Sequence, residues 1–99
     1  MQDATFHATP ADTYNAIMQY ALANNYVFSC GEDWSEGLSV HLPGFGGEAV
    51  VDMFLNSQDD DTSVTFDADL SGLLAFHLRS RCQTFHRQLV EWLSRELST

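Results

Sequence analysis

The stretch that decides the fold runs Thr62-Ser63-Val64-Thr65-Phe66-Asp67-Ala68-Asp69 and continues into a leucine-rich tail. Val64, Phe66 and Ala68 alternate with Thr65, Asp67 and Asp69, the period of two that marks a strand with one dry and one wet face. The period then changes. Leu74, Leu78, Cys82, Phe85, Leu89 and Leu93 recur at helical intervals, with Trp92 alongside. This predicts an amphipathic helix from about Ser71 to Leu97, roughly 40 Å long at 1.5 Å per residue. Asp69 or Ser71 is placed to cap it, and Arg95 near its end suits the helix dipole.

Working back toward the start, each segment falls into the same two periods. Glu48 to Asn56 predicts a strand, and Ser57 to Asp61 a polar turn. Leu38, Val40 and Leu42 alternate with Ser39 and His41, a further strand. Pro43-Gly44-Phe45-Gly46-Gly47 joins the two as a loop. Tyr26 to Cys30 is a short strand broken by Gly31-Glu32-Asp33. Before it, Tyr14, Ile17, Met18, Ala21 and Leu22 share one helical face, and Asn24-Asn25 can end that helix. Thr9 is the expected N-cap, with Pro10 at the first helical position and Asp12 where a capping-box acid stands. Residues 3–8 alternate as a first strand, with Ala4, Phe6 and Ala8 facing one way.

The order is β-α-β-β-β-β-α in one α+β domain spanning residues 1–99. Its natural packing is an antiparallel five-stranded sheet with both helices on one face. This element order resembles the TATA-binding-protein-like and helix-grip folds, the latter best known from the birch-pollen-allergen and START-type lipid-transfer proteins. The resemblance covers nearly the whole chain and rests on element order. It implies an apolar ligand held between the long last helix and the curved sheet, and it implies no particular residue.

Composition narrows the functions available. The chain has 99 residues, 44% of them hydrophobic, and a formal net charge of −10. There is no lysine; Arg79, Arg81, Arg87 and Arg95 all lie in the last helix. Residues 1–71 carry twelve carboxylates and neither Lys nor Arg. Binding to nucleic-acid phosphates or to an anionic membrane surface needs the opposite charge, so neither is an expected partner. No apolar run approaches the ~20 residues that span a bilayer. Met1-Gln2-Asp3 lacks the basic and apolar stretches of a secretory leader, so the expected location is cytoplasmic. Two cysteines, Cys30 and Cys82, are too few to build a fold from disulfides and are expected as packed thiols.

Two sets of residues are candidates for function. On the outer face of the expected sheet stand His7, His41, Asp52 and Asp67. Pairing the fourth and fifth strands with their apolar sets toward the helices puts Asp52 opposite Asp67, with His41 diagonal to Asp52. A first strand beside the fifth would bring His7 near Asp67. Such a group can bind a divalent metal or carry acid-base chemistry, although a wet sheet face produces the same pattern. The second set is apolar. Leu73 and Phe76 point away from the sheet at the start of the last helix, so a loop carrying Trp34 or Phe45, a ligand, or a second protein must cover them.

Other motifs fail on inspection. The glycine-rich 43–47 segment joins two strands and lacks the lysine of a phosphate cradle. Asp59-Asp60-Asp61 lacks the spacing of a calcium loop. Cys82 and His86 lie one helical turn apart, but no third ligand comes from that helix. No cofactor or structural metal is expected. The expected function is a non-catalytic module that binds a protein partner or a small apolar ligand. The alternative is a small enzyme using the His/Asp face.

Overall fold

The computed structural model describes residues 1–44, 47–72 and 77–97. Strand β1 is Ala4–Phe6, helix α1 Pro10–Ala23, and β2 Val27–Cys30. A single 3-10 turn, Trp34–Glu36, leads into β3, Leu38–Gly44. β4 is Gly47–Gln58, β5 Asp61–Ser71, and α2 Leu78–Leu97. The strands form one antiparallel sheet in the order β1-β5-β4-β3-β2.

Alternation sorts the side chains as the sequence implies. Leu38, Val40, Leu42, Ala49, Val51, Met53, Leu55, Val64 and Phe66 are all buried beneath the helices. Helix α2 lays Leu78, Cys82, Phe85, Leu89 and Leu93 onto them. Leu74, expected in the same stripe, lies outside the described residues. Burying each of these larger side chains contributes about 1.5–3 kcal/mol, so α2 is the main cover of the sheet.

Several boundaries move. Asp69 and Ser71 belong to β5 and cap no helix. They face away from the helices, paired with Val50 and Glu48, so the ladder carries the strand past the expected start of α2. Pro43, Gly44 and Gly47 are strand residues too, with Gly44 paired to Gly47, and Phe45 and Gly46 lie outside the described residues. β2 stops opposite His41, so beyond it β3 has no strand neighbour on that side, which is where a proline is tolerated. The β4–β5 turn shrinks to Asp59-Asp60, with Asp59 at φ +53°. Aspartate tolerates that left-handed conformation better than most residues.

The start of α1 follows the expected cap. Thr9 is extended and its side chain accepts a hydrogen bond from the Asp12 N–H at 3.1 Å. The buried face of α1 is rotated, however. Leu22 is 64% exposed, whereas Thr13, Tyr14, Ile17, Tyr20 and Ala21 are buried. The rotation brings the Tyr20 ring to 6.2 Å from Phe85 and 5.4 Å from Trp92, joining α1 to α2. Tyr26 closes the same aromatic group at 5.3 Å from Phe85.

Candidate functional site

The sheet face turned away from the helices carries the expected polar residues in the expected register. Asp52 pairs with Asp67 across β4 and β5, and His41 pairs with Val50, which leaves it diagonal to Asp52. The side chains nevertheless do not converge. The His41 imidazole Nδ1 meets Glu48 Oε1 at 2.6 Å. Asp52 accepts a hydrogen bond from the Ser39 hydroxyl. His7 is not beside Asp67. β1 pairs only with Thr62–Val64, so the residue after Phe6 falls next to Asp61, and His7 Nδ1 lies 2.8 Å from Asp61 Oδ1. That contact raises the His7 pKa above its usual 6.5, chiefly through the hydrogen bond to Asp61. Glu48 and Asp61 stand at opposite ends of the β4–β5 ladder, separated by ten residues of strand or roughly 33 Å. Two local pairs thus replace one cluster. Among the described residues no group of three or more His, Cys, Asp or Glu side chains is arranged to hold a metal ion.

Cys82 and His86 also go separate ways. Cys82 is buried, and burial pushes its thiol pKa up, which keeps it protonated. His86 Nε2 lies 2.7 Å from the Gln2 carbonyl oxygen, and its ring stands edge-on to Phe66 at 4.6 Å. Both cysteines are free thiols, Cys30 exposed and Cys82 buried.

Of the apolar candidates, Leu73, Phe76 and Phe45 lie outside the described residues. Trp34 is half-buried against the core and shares a surface groove with Ala11, Tyr14 and Met18 of α1.

The sheet–helix interface is filled at its centre. Val40, Leu42, Val51, Met53, Leu89 and Leu93 have no accessible surface, so none of them borders a void that admits water. Among the described residues the interface opens toward the start of α2, and again between β1 and the end of α2, where Thr5, Phe6, Ser94 and Leu97 line a smaller groove of about 170 Å³. Toward the start of α2, Met1, Ala68, Leu70, Arg79, Cys82 and Gln83 line a groove of about 270 Å³. Small side chains stand on both of its walls. Ala68 on the sheet and Cys82 on the helix are small where Phe66 and Leu89 elsewhere are large. Sequence reading missed this groove, although a signal was present. Ala68 and Leu70 occupy inward positions of β5, and Arg79 and Gln83 lie four residues apart along one edge of the α2 stripe. A wider depression of about 520 Å³ near the end of α2 is rimmed by His7, Ala8, Asp12, Asp60, Glu96 and Leu97.

No protein-family model matches the chain, and no curated protein matches it. Among the described residues no helix is long and apolar enough to cross a membrane.

Proposed function

We propose that this domain is a non-catalytic binding module that holds a small ligand with an apolar body between α2 and β5. The observation that carries this reading is the groove of about 270 Å³ bordered by Met1, Ala68, Leu70 and Cys82, beside an interface whose centre is filled. Concave, largely apolar sites with a few placed polar groups are the usual form of a small-molecule site. Drug-sized ligands occupy roughly 300–1,000 Å³, so the occupant here is smaller than that. The helix-grip resemblance supports the same location, since ligands in those folds lie between the last helix and the sheet. An enzymatic role for His7, His41, Asp52 and Asp67 has less support, because both histidines are engaged by separate carboxylates.

Native mass spectrometry of the freshly purified chain tests the reading. A small-molecule adduct is expected on the wild type and absent from a folded Ala68→Phe variant, in which the ring fills the groove from the sheet side. Equal adducts on both proteins would place the ligand elsewhere, and a bare wild-type chain in every preparation would count against the module.

A further inference from the structure

We propose that the groove between α2 and β5 selects a monocarboxylate with a short apolar chain, bound through the guanidinium of Arg79. This deepens the binding-module reading and rests on it.

Arg79 is one of four basic residues in a chain of net charge −10. Opposite charge abounds, yet Arg79 is exposed at the groove and makes no hydrogen bond or ion pair with any described residue. An arginine remains charged at any physiological pH and presents its donors as a planar fork that matches a carboxylate at two points. Gln83 lies four residues on, one helical turn away on the same wall, and adds an amide that donates and accepts. The side chains of Met1, Ala68, Leu70 and Cys82, also on the walls, are uncharged and suit methylenes. The polar requirement is therefore met at one end of the ligand and the apolar requirement along its body.

The charge of the chain favours an anion of single charge. A net charge of −10 repels an approaching anion in proportion to the anion's own charge. A phosphate monoester is thus disfavoured relative to a carboxylate. The repulsion acts at long range and is screened beyond about 8 Å at physiological ionic strength, whereas the contact with Arg79 acts at hydrogen-bond distance.

The test is a titration of the full chain followed by ¹H–¹⁵N NMR, using hexanoate, 1-hexanol and inorganic phosphate as probes. Hexanoate is expected to give saturable shifts at Ala68, Leu70 and Gln83, and to bind about tenfold or more tighter than hexanol, the gain of a charge-assisted hydrogen bond. Phosphate is expected to leave those signals in place. Arg79→Gln should reduce hexanoate binding to the level of hexanol and leave hexanol binding and the melting temperature unchanged, since Arg79 has no hydrogen bond or ion pair among the described residues to lose. Equal binding of hexanoate and hexanol, or hexanoate binding unaffected by Arg79→Gln, would overturn the carboxylate assignment and leave the groove standing. Saturable phosphate binding at the same signals would overturn it in favour of a phosphorylated ligand. No saturable shift at the groove with any probe would remove both the assignment and the binding-module reading beneath it.

Discussion

Asp52 and Asp67 stand directly opposite each other on β4 and β5, on the sheet face turned away from the helices. Asp52 has the Ser39 hydroxyl as a partner, and Asp67 has none among the described residues. Like charges opposite each other in a sheet destabilise it.

Replacing Asp67 should therefore stabilise the fold. Asp67→Thr removes the repulsion and installs a residue that favours strands, a gain of about 0.2–1 kcal/mol. For a domain of this size the melting temperature should rise by about 1–6 °C. The gain should shrink in roughly 0.5 M sodium chloride, where the Debye length is only a few ångströms. Asp52→Thr should gain less, because it gives up the bond from Ser39. A lower melting temperature for Asp67→Thr at low salt would show that the carboxylate is held by an attractive contact.

His7 gives a pH dependence of known sign. Its pKa is raised in the folded state by Asp61, so folding favours the protonated ring. The stabilisation is fully present below the unfolded value near 6.5 and is lost as pH rises through the higher folded value. The melting temperature of the wild type should exceed that of His7→Gln by more at pH 5.5 than at pH 8.5, both pH values being about a unit or more from the unfolded pKa. The effect is small, since His7 lies on the surface. A constant difference at the two pH values would remove the pair with Asp61 as its cause.

Leu89 and Leu22 make a contrasting pair. Leu89 on α2 has no accessible surface, whereas Leu22 on α1 is 64% exposed. Leu89→Ala should cost about 2–5 kcal/mol through lost burial and the cavity left behind. Leu22→Ala should change stability by less than about 0.5 kcal/mol. Urea denaturation of the two variants checks both, and comparable losses would mean that α1 does not present the face described.

Gly37 has little room to change. It sits at φ +74° between the 3-10 turn and β3, and a Cβ there would lie 2.5 Å from the Met53 carbonyl oxygen. Gly37→Ala should cost about 1–3 kcal/mol from the backbone conformation alone, with the clash added. Thermal unfolding by circular dichroism measures it. A variant as stable as the wild type would mean that the turn into β3 relaxes freely.

Much of the fold was legible because burial repeats along the chain. The alternation at Val64, Phe66 and Ala68 and the stripe from Leu78 to Leu93 each report a face against water, and face is what periodicity encodes. The Asp52–Asp67 pairing followed from requiring both strands to turn their apolar sets inward. What periodicity does not encode is where one strand begins relative to another. β1 is three residues long, and its register against β5 decided between Asp61 and Asp67 as the neighbour of His7. The face of α1 was misjudged because Tyr20 and Leu22 are both apolar enough to be buried, and only the presence of Phe85 and Trp92 favours the tyrosine. The groove went unread because its walls, Ala68 and Cys82 among them, come from distant parts of the chain.

The strand order also dictates a sequence of events at the ribosome. β1 and β2 are the two edges of the sheet, although only α1 separates them along the chain. Of these elements β1 is made first, yet its strand partners are Thr62–Val64, and α2, the main cover of the inner face of the sheet, follows them all. A growing chain therefore has no native strand partner for β1 until β5 has been translated. Contacts between such distant segments close slowly, and the apolar inner face stays open to solvent while they wait. Completion of the sheet therefore waits for β5 and its cover for α2, and a chain interrupted before α2 leaves the apolar inner face open.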